Sequence, residues 1–327
     1  MQVTSSGFVD LQVNGFAGVD FNTPGLPPDA IPRALAAMRA TGVTRCLPTL
    51  ITSSFERFAA CAAAIVACPD PAIAGIHMEG PYLSPFDGPR GAHPASAVIA
   101  ASVDDFRRRQ EAAGGRIRLV TLAPEVPGAI TLIEYLVREG VCVAIGHTAA
   151  SAAEIADAVS AGASLSTHLG NGCAAMQHRH DNVIWAQAAA DQLHATFIAD
   201  GHHLPATVLK SLIRAKNPFR SILVTDAMAA AAAPAGRYRL GDIEVERDTN
   251  GRVGLPGTPY LAGSALTMDE AIGETVRATG LELTQVLAMA SAQPATYINI
   301  GPRGTVYADW DASRCVLTVS SMSMSRT

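Results

Sequence analysis

Residues 141–168 read VCVAIGHTAASAAEIADAVSAGASLSTH and contain one complete strand–helix–strand pattern. The two apolar runs VCVAIG and ASLSTH are typical of buried strands, and a histidine stands at the end of each. Between them, residues 151–161 are predicted to form a helix that begins with a capping box of Ser151 and Glu154. A strand, a helix and a second strand in succession indicate a parallel α/β sheet.

The same pattern recurs along the chain, with Ala-rich helical segments between apolar runs. The eight runs begin at Gly7, Val43, Ile73, Ile117, Val141, Ala163, His194 and Ser221. Eight alternations of strand and helix favour the α/β class and a (β/α)8 TIM barrel over an open doubly wound sheet. An open sheet would need a phosphate-binding G-x-G-x-x-G after its first strand, and NGFAGVDFN, the sequence found there, is not one.

The barrel is predicted to occupy residues 1–300, since a chain of this length is within the range of one α/β barrel. Residues 237–257 alternate polar and apolar positions around a Thr-Asn-Gly turn, which predicts a β-hairpin inserted after the eighth strand. Residues 301–327 are predicted to form a small, truncated β appendage that ends in a frayed polar tail, residues 320–327.

Composition limits the kinds of partner. The chain is 49% hydrophobic and 16% charged with a formal net charge of -5, which suits a large core and gives no general field for nucleic acid or a membrane surface. A small molecule is therefore the expected partner. The N-terminus lacks a signal-peptide pattern, and the six cysteines form no C-x-x-C pair, so a cytoplasmic protein with reduced cysteines is expected.

Polar side chains follow the apolar runs where the predicted strands end. They are Gln12 and Asn14 on the first strand, Glu79 on the third, His147 on the fifth, His168 on the sixth, Asp200 on the seventh and Asp226 on the eighth. In a (β/α)8 barrel these strand ends face the active site. A single histidine at such a place is more often structural, but several ionisable groups together are costly to bury unless they pair or bind a metal.

Glu79, His147 and His168 supply one carboxylate and two imidazoles, a donor set of catalytic zinc sites that leave one position open. A metal held there would activate water and polarise a carbonyl, and Asp226 could accept a proton and pass it on. The sequence therefore predicts metal-assisted hydrolysis with one divalent ion per subunit. Zinc is the expected metal, with iron and manganese as alternatives.

The first strand offers only amides as further metal ligands. Barrels that bind two metals usually carry a His-x-His on this strand and a carboxylated lysine near strand four. Here Gln12 and Asn14 occupy the first strand, and both lysines of the chain, Lys210 and Lys216, lie near the helix between strands seven and eight. One tightly held metal is expected. A second metal site at Gln12 and Asn14 would at most be weak.

Ten segments between about residues 7 and 300 match the motifs of one known family, in the same order as in that family. Among them are GIHMEGPYL, AIGHTAAS, STHLGN and LVTDAMA. The chain resembles the N-acetylglucosamine-6-phosphate deacetylase family of the amidohydrolase superfamily. The resemblance implies a metal-dependent deacetylase that converts an N-acetylated amino sugar, as its 6-phosphate, to free amine and acetate. It places the metal at Glu79, His147 and His168 and the acid/base role at Asp226.

The resemblance also implies residues for the substrate. His93, in RGAH, would polarise the acetyl carbonyl, and His203, in DGHHL, would contact the substrate. The main chain at Asn171 and Gly172 would hold the phosphate together with Arg179, since arginine presents a planar fork of donors. In relatives this arginine can reach across a dimer interface, which implies a homodimer.

The chain departs from the family pattern after His168. Relatives read THLxNAM followed by xREPG, whereas this chain reads THLGNGCAAM followed by HRHDN. A second interpretation therefore remains, an amidohydrolase acting on a different N-acyl or cyclic amide substrate. A third is a non-catalytic binding protein on this scaffold, because only about six residues precede the first strand, where relatives carry strands of a β-sandwich. Retention of Asp226 together with the three ligands argues against the third.

Overall fold

The computed structural model describes residues 1–301 and 303–324, in which strands and helices alternate along most of the chain. The strands are β1 (Gln2–Ser6), β2 (Phe8–Val13), β3 (Gly15–Phe16), β4 (Val19–Asp20), β5 (Val43–Ile51), β6 (Ile76–Glu79), β7 (Ile117–Leu122), β8 (Cys142–Ile145), β9 (Leu165–Ser166), β10 (His194–Phe197), β11 (Ser221–Leu223), β12 (Gly236–Leu240), β13 (Ile243–Arg247), β14 (Val253–Gly254), β15 (Thr305–Asp311) and β16 (Val316–Ser323). The helices are α1 (Ala30–Ala40), α2 (Phe55–Ala67), α3 (Val103–Ala112), α4 (Ala129–Arg138), α5 (Ala152–Ser160), α6 (Val183–Ala189), α7 (Ala206–Lys216), α8 (Met268–Thr279), α9 (Leu283–Ala290) and α10 (Ala292–Tyr297).

Eight strands form one sheet in the order β2, β5, β6, β7, β8, β9, β10, β11, and each neighbouring pair is parallel. The end of β2 meets the segment that follows β11 through a parallel bridge between Val13 and Ala227. Beside it, the main-chain N–H of Asp226 donates to the carbonyl of Gln12 at 2.9 Å, so the sheet closes at its carboxyl end. The predicted (β/α)8 barrel is confirmed.

A buried aspartate joins the two strands at this closure. Asp10 on β2 is fully buried, and its Oδ2 accepts a hydrogen bond from the hydroxyl of Thr225 at 2.5 Å. Its Oδ1 accepts the main-chain N–H of Thr225 at 3.3 Å. Burial raises the pKa of Asp10 to about 6, although the hydrogen bonds from Thr225 oppose this shift.

The helices cover the outside of the barrel with their apolar faces. In α4, Leu132, Ile133 and Leu136 are completely buried, at the spacing that places them on one side of a helix. The capping box of α5 is confirmed, because Ser151 Oγ accepts the N–H of Glu154 at 3.3 Å and the Glu154 carboxylate accepts the N–H of Ser151 at 2.8 Å. Among the described residues, no helix combines the length and apolar character needed to cross a bilayer.

The segment inserted after β11 is a three-stranded antiparallel sheet, β12–β13–β14. The predicted Thr-Asn-Gly turn joins β13 to β14, and a two-residue turn at Gly241 and Asp242 joins β12 to β13, so the insertion has one strand more than a hairpin. The main-chain N–H of Gly241 donates to Asp20 at 2.8 Å, and Arg57 donates to Asp242 at 2.8 Å. These bonds hold the β12–β13 turn against the barrel.

The appendage is a second antiparallel sheet, in the order β1–β15–β16. It takes a strand from each end of the described chain, whereas the prediction confined it to residues 301–327. Strand β16 continues to Ser323 and places Met322 against the core. The prediction of a frayed tail that begins at residue 320 was therefore wrong. Residues 325–327 lie outside the described chain. The domain division at residue 300 remains a prediction.

Candidate active site and metal centre

Three strand ends bring Glu79, His147 and His168 together. Glu79 is the last residue of β6, and the histidines follow β8 and β9. Glu79 Oε1 lies 3.2 Å from Nε2 of each histidine, and the two Nε2 atoms lie 3.1 Å apart. The three side chains are buried, and their candidate ligand atoms all lie within 4.8 Å of one another. No second group of this kind occurs in the part of the chain that the structure describes.

The backbone turns sharply at these strand ends. His147, His168 and Asp226 have φ angles of 51°, 29° and 48°, in the left-handed region that residues other than glycine rarely adopt. Such conformations cost roughly 1–3 kcal/mol each and occur where the surrounding structure enforces them. At His168 the main-chain N–H donates to the hydroxyl of Thr196 at 2.7 Å, which holds the turn.

The surroundings of His147 fix which ring nitrogen faces Glu79. Its Nδ1 lies 3.1 Å from the carbonyl oxygen of Pro89, which can only accept, so Nδ1 carries the proton and Nε2 presents a lone pair. Two glycines border the ring. A Cβ at Gly91 would lie 3.2 Å from Cε1 of His147, and a Cβ at Gly172 would lie 3.0 Å from Nδ1. The ring therefore leaves little space for a side chain at either glycine.

The donor set fits a divalent cation. Burial alone would raise the pKa of Glu79, but hydrogen bonds from His147 and His168, when these rings carry a proton on Nε2, outweigh burial and hold this pKa well below the ordinary value, so Glu79 is an anion. A bound cation would take the place of these protons. Burial lowers the pKa of His168 and keeps the imidazole neutral, as a metal ligand must be. Lone pairs that converge within hydrogen-bond distance repel one another, and a bound cation would satisfy all three ligands.

Asp226 lies beside this group and lines the same cleft. The side-chain amide of Asn14 donates a hydrogen bond to Asp226 Oδ1 at 2.7 Å. None of the described residues forms a hydrogen bond with Asp226 Oδ2. Burial, followed by the negative charge of Glu79, raises the pKa of Asp226 well above its ordinary value. A carboxyl group with a raised pKa is suited to proton transfer near neutral pH.

The amides predicted as a weak second metal site already have partners. Gln12 Nε2 donates to Glu79 Oε1 at 2.9 Å, and Asn14 donates to Asp226 as described. Each amide therefore orients one carboxylate of the site. The second metal site remains a prediction.

His93 packs against the metal group. Its ring centroid lies 4.3 Å from that of His147, and its Nε2 lies 3.9 Å from Glu79 Oε2. Its Nδ1 is 2.9 Å from the hydroxyl of Thr52, whose single proton can be donated either to this nitrogen or to the main-chain carbonyl of Glu79 at 3.4 Å. When the hydroxyl donates to Nδ1, the closer of the two, the ring proton stands on Nε2, toward the site. Burial, followed by the charge of His147, lowers the pKa of His93 to about 3, so the imidazole is neutral.

A cleft of about 570 Å³ opens above these residues. Of the residues predicted for substrate binding, Asn171, Gly172, His93 and His203 line it. Arg179 is exposed and is not among the lining residues. Main-chain N–H groups of His180 and Asp181 lie 3.4 Å and 3.0 Å from Nδ1 of His178, which holds this segment in a surface turn.

Several contributors to the site were not predicted. The β12–β13 turn brings Leu240 and Ile243 to the cleft, and Tyr260 lines it as well. Thr52 and the carbonyl of Pro89 orient the two histidines. The sequence indicated Thr52 and Pro89 only through their nearness to predicted strands and motifs, because a carbonyl or a single hydroxyl has no distinctive sequence pattern.

Comparison with known proteins identifies the family. The sequence profile of the amidohydrolase family matches residues 4–319. The chain belongs to this family. This amidohydrolase is 34% identical over 330 residues to N-acetylglucosamine-6-phosphate deacetylase of Bos taurus, covering 96% of this chain and 79% of the relative. It is 32% identical over 299 residues to N-acetylgalactosamine-6-phosphate deacetylase of Escherichia coli O157:H7, covering 90% of this chain and 77% of that relative.

The fold agrees with a solved relative. N-acetyl-D-glucosamine-6-phosphate deacetylase from Mycobacterium smegmatis superposes on this amidohydrolase with a TM-score of 0.90 at 30% sequence identity, covering 99% of this chain and 86% of that one. The resemblance seen in the sequence is confirmed. The amidohydrolase is thus a metal-dependent hydrolytic enzyme that acts on carbon–nitrogen bonds.

Proposed function

We propose that this amidohydrolase removes the acetyl group from an N-acetylated amino sugar 6-phosphate, N-acetylglucosamine-6-phosphate, and releases free amine and acetate. The observation that carries the proposal is the carboxyl group of Asp226 beside the buried trio Glu79, His147 and His168 on the floor of a cleft. Relatives that carry the deacetylase name cover nearly the whole chain, which supports the same reaction here.

We propose that Glu79, His147 and His168 hold one zinc ion, since one carboxylate and two imidazoles are typical of catalytic zinc. Iron and manganese are alternatives for the same donors. When bound, the metal polarises the amide carbonyl and lowers the pKa of water. Gln12 keeps the Glu79 carboxylate in place through its 2.9 Å hydrogen bond.

Asp226 moves the proton in the proposed reaction. Its Oδ2, left available by the Asn14 bond to Oδ1, takes a proton from the attacking water and delivers it to the amide nitrogen. The water oxygen bonds to the acyl carbon, and the carbon–nitrogen bond breaks once the nitrogen is protonated. His93 donates from Nε2 to the carbonyl oxygen as negative charge develops there.

The phosphate end of the substrate is proposed to lie along the main chain at Asn171 and Gly172, and His203 is proposed to contact the sugar. Because Arg179 does not line the cleft of its own chain, we propose a homodimer in which Arg179 of the partner subunit enters the cleft and binds the phosphate. Met176 is 90% exposed and Trp185 is 51% exposed beside this loop, which supports an interface at this face.

A second candidate substrate is N-acetylgalactosamine-6-phosphate, because a relative with that name is about as similar as those named for the glucosamine compound. The changed segment after His168 also keeps other N-acyl or cyclic amides open. A cytoplasmic location is supported by the six unpaired cysteines.

Acetate release tests the proposal. We expect kcat/KM for at least one of the two N-acetylated sugar 6-phosphates to exceed that of the unphosphorylated sugar by about 100-fold, the scale of two charge-assisted hydrogen bonds. Arg179→Ala is expected to remove most of this difference, whereas Arg214→Ala, an exposed change on α7, leaves it intact. Equal rates on phosphorylated and free sugars would eliminate the phosphate site. No acetate from any of these substrates would overturn the proposed function.

A further inference from the structure

An aspartate with a largely buried side chain contacts His203, a residue that lines the cleft. Asp200 Oδ2 is 2.6 Å from Nδ1 of His203, and the two side chains are only 9% and 7% exposed. The other carboxylate oxygen of Asp200 accepts the main-chain N–H groups of His202 and His203, both at 2.8 Å. The carboxylate therefore holds the turn with one oxygen and the imidazole ring with the other.

The Asp200 carboxylate determines where the ring proton stands. Burial would raise the pKa of Asp200, but the hydrogen bond and charge of His203 outweigh it and hold this pKa below the ordinary value, so the group is an anion. A carboxylate only accepts hydrogen bonds, so Nδ1 of His203 must carry a proton. In the neutral imidazole Nε2 then has a lone pair, and the described residues provide no hydrogen-bond partner for it.

We propose that Asp200 is a positioning residue that fixes the Nδ1–H tautomer of His203, so that Nε2 accepts a hydrogen bond from a hydroxyl group of the substrate. The inference rests on the proposed function, since it assumes a sugar in the cleft that His203 lines. An acceptor at this position selects a hydroxyl group and disfavours phosphate, carbonyl and ether oxygens, which cannot donate. His203 therefore contributes to the choice of sugar and does not bind the phosphate.

The substitution Asp200→Asn separates the two jobs of this side chain. The carbonyl oxygen of asparagine can still accept the two main-chain N–H groups, so the turn is kept. Its amide must then donate to Nδ1, which moves the ring proton of His203 to Nε2. Asp311→Asn is the matched control, because Asp311 accepts main-chain N–H groups in a turn of the same kind, from Ser313 at 3.0 Å and Arg314 at 3.2 Å, and contacts no histidine.

Nitrogen NMR of the histidine-labelled, zinc-loaded enzyme reads the tautomer directly, without turnover. At about pH 8.5, where an ordinary imidazole is neutral, we expect Nδ1–H for His203 in the wild type and in Asp311→Asn, and Nε2–H in Asp200→Asn. The His203→Asn spectrum assigns the signals. An Nε2–H or doubly protonated His203 in the wild type, or an unchanged tautomer in Asp200→Asn, would overturn the proposal.

Deoxyfluoro substrates test the hydroxyl contact, because fluorine cannot donate a hydrogen bond. Among 3-deoxy-3-fluoro and 4-deoxy-4-fluoro forms of the N-acetylated sugar 6-phosphate, we expect one to lower kcat/KM of the wild type by about tenfold, the size of one net hydrogen bond. Asp200→Asn should largely lose that discrimination. Equal losses in both enzymes, or none in the wild type, would contradict the contact. If the wild type releases no acetate from any sugar, the proposed function fails, and the NMR result alone decides on Asp200.

Discussion

The left-handed backbone at Asp226 suggests a substitution that changes chemistry without changing shape. Asparagine tolerates a φ of 48° better than other side chains and keeps the planar outline of the carboxyl group, but it cannot take up a proton. We expect Asp226→Asn to lower kcat by about 10²–10⁴-fold with the metal content unchanged. Acetate release and elemental analysis measure both. Activity close to that of the wild type would place the proton route elsewhere.

Gly172 is expected to be required because of its contact with His147. An added Cβ would lie 3.0 Å from Nδ1 of His147, so Gly172→Ala should push the ring and weaken metal binding by about tenfold or more. Gly140→Ala is the matched control, since Gly140 has a similar left-handed φ of 73° and nothing within 4 Å of an added Cβ. Competition with a chelator measures the affinity. Equal metal affinity in the two variants would show that His147 is not confined by Gly172.

The β12–β13 turn forms one wall of the cleft and is held to the barrel from outside. Asp242→Ala removes the two 2.8 Å hydrogen bonds from Arg57, so Leu240 and Ile243 should become more mobile and KM should rise about threefold. Because Asp242 is exposed, we expect the free energy of unfolding to change by less than about 1 kcal/mol. Glu244→Ala, which breaks an exposed pair in the same sheet, is the control. Equal KM values in both variants would exclude a role for the turn.

The barrel strands could be predicted because each is an apolar run that ends in a polar residue. Even β9, which has only two residues, follows this pattern, with His168 two residues beyond its end. Glu79, His147 and Asp226 were found by the same logic. The insertion was predicted with one strand too few, because a two-residue Gly-Asp turn lies within its alternating pattern.

What the sequence could not provide are contacts between distant segments. The hydroxyl of Thr52 on His93, the carbonyl of Pro89 on His147 and the closure of the barrel by Asp10 all depend on tertiary structure. A main-chain carbonyl has no side-chain identity to recognise, and a buried threonine or aspartate within an apolar run has many possible partners. The position of Arg179 relative to the cleft has the same origin.

Buried histidines make the whole fold sensitive to acid. His77 lies between the hydroxyls of Thr49 and Thr121, at 3.3 Å and 2.8 Å, and burial lowers its pKa to about 4. Burial likewise lowers the pKa of His93 to about 3. Below the ordinary imidazole value of 6.5, the unfolded chain binds protons at both positions that the folded chain does not, so stability falls as pH drops from 6.5 toward 4.

Asp10 opposes this trend. Its raised pKa, about 6 against an ordinary 3.8, makes the folded state bind the extra proton in that window, which favours folding as pH falls. Asp226, whose pKa is also raised, acts in the same direction as Asp10, whereas the lowered pKa values of His168 and Glu79 act in the same direction as those of the two histidines. We expect the net result to be a loss of stability as pH falls.

We expect the thermal unfolding midpoint of the metal-free protein to decrease when the pH is lowered from about 7 to about 5. The decrease should be smaller in His77→Asn. His202→Gln, at an exposed histidine, should keep the wild-type slope. An unchanged slope in His77→Asn would contradict this explanation.

Hydrolysis by this enzyme is proposed to depend on a single metal held by Glu79, His147 and His168. The most direct measurement is acetate release while zinc is added to metal-free enzyme. We expect no activity at the start, a linear rise, and a sharp break at one zinc per chain, with no rise for His168→Asn over the same range. Activity without metal, or a break at two zinc ions per chain, would contradict the single-metal site.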